Sequence, residues 1–369
     1  MNVLHFFKTY YPDSYGGVEN LIFQLAENGL KQGVQSEVLS LSSNGCARNQ
    51  RVNNHLVHRS NLDFYLASTG FSYSVFSDFR ELADNADIIH YHFPWPFMDV
   101  VHFVNRIKKP TVVTYHSDIV KQKYLYFFYK PLMYFFLKSV DRVIATSSNY
   151  LNTSCVLKNI KKKVDVIPVG IDDHAAIPAS NLLKLKWQQT ITSPFFLFIG
   201  SFRYYKGLHI LLESMKGVDL PVVLVGIGSL EKELKIQAQQ LNLKNIYFLG
   251  ALPDEDKCAL LELCLSVVFP SHLRSEAFGI TLVEGAMYGK PLISSEIGTG
   301  TTYINVDHET GLVVPPSNPT ALKAAMLTLW NNPVLAFQLG RNARVRYEKL
   351  FTVDRMVKQY AHIYYSLLS

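Results

Sequence analysis

SEAFGITLVEGAMYGKPLISSEIGTG, residues 275–300, is the stretch on which the reading of this chain turns. Two carboxylates, Glu276 and Glu284, stand with seven residues between them. Phe278-Gly279-Ile280 leads into a short helix, Gly289 is placed as its C-cap, and Pro291 lies just beyond. Leu292 to Ser295 reads as the next short buried strand. The first glutamate therefore falls in a strand-to-helix loop, and the second about two turns along the helix face. A helix N-terminus offers unpaired N–H groups and a partial positive charge, which suits a diphosphate. A carboxylate accepts two hydroxyl hydrogen bonds at once, which suits a sugar or a ribose diol. Two acids alone would read better as one cap and one solvated side chain, since charged residues are mostly solvated surface. The flanking Gly279, Gly289, Pro291 and Gly298-Thr299-Gly300 favour a site.

The chain around this stretch has room for two or three domains in its 369 residues. With 48% hydrophobic and 18% charged residues it supports real cores and excludes extensive disorder. A net charge of +6 is compatible with anionic nucleotides or a membrane surface and too diffuse for nucleic acid. Cys46, Cys155, Cys258 and Cys264 form no C-x-x-C pair and no Cys/His ligand spacing, which predicts reduced, buried thiols in a cytosolic protein and no structural zinc. The start MNVLHFF lacks a basic leader, and no apolar run approaches the ~20 residues of a membrane span. The expectation is a soluble protein, or one held at a membrane from one side.

Upstream, Val3 to Phe7 reads as a strand, followed by a loop ending in Gly16-Gly17 and a helix with Val18, Leu21, Ile22 and Leu25 on one face. The loop is not a G-x-G-x-x-G fingerprint, so a dinucleotide site is disfavoured. Val34 to Leu41 is a second strand, and residues 43–62 read mostly as loop with at most one short strand. Asp87 to His92 and Thr111 to Tyr115 are strands with His90, His92 and His116 at or beyond their carboxyl ends, where open parallel sheets bind ligands. For His90 and His92 a packed structural role and a substrate role weigh evenly.

Residues 119–138, IVKQKYLYFFYKPLMYFFLK, interleave aromatics with Lys121, Lys123, Lys130 and Lys138. Rings at headgroup level with lysines toward anionic lipid make an interfacial helix, in which Tyr124 would join the lysines. A core helix pair kinked at Pro131 explains the stretch equally well. Further on, Phe195 to Gly200 is a buried strand, followed by Ser201-Phe202-Arg203-Tyr204-Tyr205-Lys206-Gly207 and an amphipathic helix. Arg203 and Lys206 on such a loop make an anion clamp of guanidinium fork and ammonium point charge. Strands ending at Gly226 and Gly250 follow, the latter turning through Leu252-Pro253. A long aromatic helix from about Thr352 to Leu368 ends the chain.

Ser275–Gly300 resembles the E-x7-E segment of retaining, nucleotide-sugar-dependent glycosyltransferases of family 4, and matching features recur along nearly the whole chain. Gly16-Gly17-Val18-Glu19 resembles the family's G-G-[VI]-E loop, and Thr114-Tyr115-His116-Ser117 its histidine segment. Ile167–Asp172 resembles the segment that ends its N-terminal domain, with Val169 for the usual Asn, and Gly311–Val314 resembles a further strand motif.

The resemblance implies an α/β GT-B fold: two facing doubly wound, Rossmann-like parallel-sheet domains with a cleft between them. Residues 1–172, with helix 352–369 crossing back, would form the acceptor domain, and 173–351 the nucleotide-sugar domain. His116, Arg203, Lys206 and Glu276 are the catalytic set it implies, with His116 and Glu276 on the donor sugar and the two cations on the diphosphate. Family members place the arginine directly after the glycine, where this chain has Ser201, so that role passes to Arg203. Gly16, Gly17, Gly226, Leu252, Phe278, Gly279, Ile280 and Glu284 would line the donor, with Glu284 on the ribose. Lys121, Lys123, Tyr124 and Lys130 would face membrane or acceptor.

No cofactor or metal is implied. The runs RYYKGL, SEAFGI and EIGTGT are similar to a bacterial subgroup that includes O-antigen mannosyltransferases. That similarity implies GDP-mannose, a lipid-linked oligosaccharide acceptor, and a peripheral place on the inner face of the cytoplasmic membrane. Alternatives are a UDP-sugar donor (N-acetylgalactosamine, galactose or glucose), a non-catalytic nucleotide-sugar scaffold, and an epimerase of the same fold.

Overall fold

Short runs of Val, Ile, Leu and Phe alternate along this chain with helical segments, the pattern that winds parallel strands into sheets covered on both faces. The computed structural model describes residues 1–43, 49–66, 69–119, 123–173, 179–191 and 194–369, and the side chains of residues 123 and 124 lie outside that description. Two units result: Met1–Gly170 with Val353–Ser369, and Ile171–Thr352.

The first unit holds β1 (Asn2–Phe6), β2 (Gln35–Ser42), β3 (Asn49–Val52), β4 (His55–Asn61), β5 (Phe64–Leu66), β6 (Thr69–Phe71), β7 (Ile88–Phe93), β8 (Thr111–Tyr115), β9 (Arg142–Ala145) and β10 (Val164–Val166). Its main sheet runs β10-β9-β8-β7-β1-β2-β4-β3, parallel except for the β3–β4 pair. The chain winds outward from β1 through β2 to β4, then resumes on the other side with β7 to β10. The switch point therefore lies between β1 and β7. Phe6 packs on Phe79 and Trp95 in this core, with ring centroids 4.7 and 4.8 Å apart. The C-terminal helix Val353–Leu368 belongs to this unit, burying Val353, Met356, Val357, Tyr360 and Tyr364.

The second unit holds β11 (Phe196–Ile199), β12 (Val222–Val225), β13 (Ile246–Gly250), β14 (Ser266–Phe269), β15 (Leu292–Ser295) and β16 (Gly311–Val314). They form one parallel sheet ordered β13-β12-β11-β14-β15-β16, with its own core around Phe198, Leu211, Leu224 and Met326. Its switch point lies between β11 and β14.

Residues 49–61 depart from the expectation of mostly loop, because they form the β3–β4 hairpin on the edge of the first sheet. The inward residues of β4 are largely polar and are buried through partners instead of by being apolar. His55 Nδ1 lies 2.6 Å from Glu27, and buried Arg59 donates to Gln50 at 2.8 Å. The thiols also differ in part from expectation: Cys264 is buried, Cys155 is exposed, and Cys46 lies outside the described residues.

Candidate active site

In the second unit, the loops after β11 and β14 leave adjacent strands in diverging directions, the arrangement that opens a ligand crevice beyond the strand ends. Gly207 closes the first loop with φ +72°, and a Cβ there would strike the Pro270 carbonyl oxygen at the start of the second. This close approach, open only to glycine, draws Lys206 onto Glu276. The ammonium lies 2.5 Å from Glu276 Oε2, with both side chains nearly nine-tenths buried. Ser271 Oγ donates to the same oxygen at 3.2 Å. The ammonium also faces the Phe269 ring, 4.6 Å from its centroid.

Gly279, at φ +101°, turns the second loop into the helix Ile280–Met287 and leaves Ile280 as its first residue. Glu284 is half-buried on that helix. Burial raises its carboxyl above the usual range, Lys257 and Lys206 oppose that rise, and no hydrogen bond to its side chain is seen among the described residues. Its oxygens are open to donors from solvent or from a ligand. Buried Phe278 is braced by Gly300, where a Cβ would strike its ring, and Gly300 N donates to Ala277 O at 2.9 Å. Arg274, a residue the sequence reading passed over, fixes that brace by donating to Gly298 O at 2.8 Å.

Arg203 is not brought into the pair. It is exposed, and no ion pair to it is seen among the described residues. Gly226, at φ +136°, lies against the Gly200 carbonyl and layers the loop after β12 on the loop after β11. Leu252 is half-buried one strand further out, in the turn before the helix Asp254–Leu263.

In the first unit, the loop after β1 ends at Gly16, which is extended, and Gly17 opens the helix Gly17–Gly29. Thr9 and Ser14 donate to Glu19 Oε1 at 2.9 and 2.7 Å, so this buried carboxylate ties the loop to the helix. A Cβ on Gly16 would crowd that carboxylate, which gives the glycine a structural reason alongside any contact with a ligand. His116 follows β8, half-buried, its backbone N donating to Phe93 O at 2.9 Å. Burial lowers its pKa to about 3, so it is neutral near pH 7. His90 and His92 are fully buried. His90 bridges Thr114 and Tyr364 at 2.7 Å each, a structural use, whereas His92 Nδ1 lies 3.1 Å from His116 Nε2.

A cavity of about 440 Å³ opens in this unit, lined by Lys8, Phe71, Trp95, Tyr126, Phe128 and Tyr129 among others. Burial lowers the Lys8 pKa, with Glu19 acting in the opposite direction. The aromatic-basic stretch forms one helix, Lys123–Ser139, that continues through Pro131 instead of splitting into a kinked pair. It serves two environments: Met133, Phe136 and Leu137 are buried, while Phe127, Phe128 and Phe135 are 73%, 80% and 63% exposed. Lys130 is exposed, its Nζ 6.0 Å from the Tyr134 ring centroid. Lys121 and the side chains of Lys123 and Tyr124 lie outside the described residues. No described helix is long and apolar enough to cross a membrane.

Residues 15–175 match the family described as Glycosyltransferase Family 4, and residues 184–346 match Glycosyl transferases group 1. The chain is 56% identical over 353 residues to the D-rhamnosyltransferase WbpZ of Pseudomonas aeruginosa, covering 95% of this chain and 92% of that protein. The chain belongs to glycosyltransferase family 4. This glycosyltransferase is also 49% identical to O-antigen chain mannosyltransferase C of Escherichia coli, over 100% of this chain and 99% of that one. Among solved structures it shares its fold with sucrose-phosphate synthase of Thermosynechococcus elongatus, with a TM-score of 0.82 at 20% identity over 100% and 99% of the two chains. HepE of Anabaena, in complex with UDP and glucose, gives 0.79 at 19% over 99% of each. At these identities the likeness is one of fold, the GT-B fold that the sequence motifs imply.

Proposed function

We propose that this glycosyltransferase moves a mannose-type hexose from a GDP-linked donor to a lipid-linked O-antigen oligosaccharide, with retention at the sugar and without a metal ion. The carrying observation is the Lys206–Glu276 pair at the switch point of the second sheet, with the half-buried Glu284 carboxylate on the helix that follows. The choice of sugar is supported by the two relatives named for D-rhamnosyl and mannosyl transfer. D-rhamnose is mannose without its 6-hydroxyl, so the two share ring stereochemistry.

Without substrate, Lys206 and Glu276 neutralise one another in a site too dry for either to stand alone. A nucleotide sugar gives both new partners: phosphate oxygens for the ammonium, sugar hydroxyls for the carboxylate. The exposed Arg203 guanidinium adds a bidentate donor to the diphosphate. Glu284 takes the ribose diol. Phe278, Gly279 and Ile280 offer backbone N–H groups at the start of a helix. As the C1–phosphate bond breaks, negative charge grows on the leaving oxygen beside Lys206, where a fixed cation lowers the barrier most. The acceptor oxygen attacks C1 from the face the phosphate leaves, and its proton passes to the departing phosphate oxygen. These side-chain cations supply the charge that a divalent ion supplies elsewhere, which supports the metal-independent reading. On the acceptor side, the aromatic cavity beside Lys8 and the exposed phenylalanines of Lys123–Ser139 support a lipid-linked substrate met at an anionic membrane surface.

The test is a panel of radiolabelled donors, GDP-mannose, GDP-D-rhamnose, UDP-glucose and UDP-N-acetylgalactosamine, each with a lipid-linked acceptor and with or without EDTA. Transfer from a GDP donor, unchanged by EDTA and with the donor's anomeric configuration kept in the product, is expected. Transfer from UDP-sugars alone would replace the donor assignment with its runner-up.

A further inference from the structure

Four histidines lie on one face of the first sheet, because register puts them there. His5 pairs with His90 across β1 and β7, and His92 pairs with Thr114 across β7 and β8. His116 lies two residues beyond Thr114, so it returns to that same face. Three of the rings form a chain. His5 Nδ1 lies 3.1 Å from His92 Nε2, and His92 Nδ1 lies 3.1 Å from His116 Nε2. Their rings are stacked at 25° and 21°. The fourth, His90, is tied off sideways to Thr114 and to Tyr364 of the C-terminal helix.

A metal site is the other use for such a cluster, since ligand atoms of His5, His90 and His92 lie within 4.8 Å of one another. The hydrogen bonds argue against it. Both nitrogens of His90 and both of His92 are already engaged, which leaves only His5 Nε2 without a partner among the described residues. Burial holds His5 near a pKa of about 3 and pushes His90 and His92 well down, so each ring carries one proton.

With one proton per ring, the chain has two consistent polarities. Either His5 and His92 each donate from Nδ1 and His116 is left with its proton on Nδ1, or every proton sits on Nε2. The second choice buries a bare N–H at His5 Nε2, while the first leaves only a bare lone pair there. Orphaned buried donors are the rarer and costlier defect. We propose that His5 and His92 are positioning residues that lock His116 as its Nδ1–H tautomer, so that it presents a permanent N–H donor to an oxygen of the donor substrate.

The inference rests on the placement of His116 against the donor, but its first readout does not. Long-range ¹H–¹⁵N spectra of ¹⁵N-histidine-labelled full-length protein, with the His116 signals assigned by His116→Gln, report the tautomer directly. The expected result is Nδ1–H in the wild type, turning to a mixture or to Nε2–H in His92→Phe. His5→Asp, whose carboxylate can only accept from His92 Nε2, should turn the chain round and leave His116 as Nε2–H, which covers the case in which His92→Phe fails to fold. For either variant, kcat should fall about tenfold, the worth of one mispresented hydrogen bond, with the donor KM little changed. An Nε2–H wild type, or a His116 tautomer unmoved in a folded variant, overturns the proposal. A tautomer that shifts as expected while His116→Gln transfers sugar normally sustains the lock and sinks the placement of His116 at the donor instead.

Discussion

Lys206 and Glu276 pair 2.5 Å apart in a nearly dry loop, and under the proposal the donor's phosphate and hydroxyls take over as their partners. Replacing Lys206 by Ala should therefore lower kcat by about 10²- to 10³-fold, the usual loss when one fixed donor to a developing anion is removed. Steady-state kinetics with the preferred donor will measure this, and a loss confined to KM would place the lysine on ground-state binding. The geometry that delivers Lys206 is as exacting as the charge. Gly207→Ala would put a Cβ into the Pro270 carbonyl at φ +72°, so thermal or urea unfolding should register a loss of about 1–3 kcal/mol. Much at this scale was legible in the sequence. The meeting of Lys206 and Glu276 was legible because both fall on strand-to-helix loops of one sheet, with Glu284 on the helix that follows. Arg203 carried the same reading, yet its guanidinium stands in solvent and takes its place only under the proposal for bound donor. His5 was invisible as a functional candidate. Its link to His92 depends on which strands become neighbours and in what register, and no local pattern states that.

Helix Lys123–Ser139 bears out the core description in part, and the interfacial one stands as a proposal. Its buried Met133, Phe136 and Leu137 belong to the core, and its exposed Phe127, Phe128 and Phe135 are the side chains that the proposal sets against lipid headgroups. Sedimentation with anionic vesicles should pull down the wild type and lose most of it for the double variant Phe127→Ser, Phe128→Ser, whose fold should be intact because both side chains are exposed. Equal sedimentation of both proteins, or no preference over zwitterionic vesicles, would remove the membrane from the proposal. The sequence showed the amphipathic pattern but could not say that the helix carries on through Pro131. It also hid β4, because three of the four buried positions of that strand, His55, Arg59 and Ser60 beside Val57, are polar groups that burial tolerates only once Glu27, Gln50 and Asp78 are in place. Hydrophobic alternation finds strands that bury apolar faces and misses those that bury paired polar ones.

At the scale of the whole molecule, two parallel sheets, each with its own switch point, were legible from the alternation of apolar strands with helices and from motifs spaced along both halves. What burial does to the histidines was not. His5, His90 and His92 are held neutral in the fold but take up protons near pH 6.5 once unfolded. Their folded pKa values are depressed, so the unfolded chain binds more protons below 6.5 and stability falls as pH falls. For His5 the window runs from about 6.5 down to about 3, at a slope of about 1.4 kcal/mol per pH unit. The unfolding temperature of the wild type should therefore drop between pH 7 and pH 5, and His5→Phe should flatten that dependence.

Radiolabel transfer from GDP-mannose or GDP-D-rhamnose to a lipid-linked acceptor, run side by side for wild type and Glu276→Gln, tests the central claim most directly. The account predicts turnover by the wild type and its near-complete loss in a variant that still folds, with a lowered unfolding temperature because Lys206 is left without its opposite charge. Wild-type turnover by folded Glu276→Gln would contradict it.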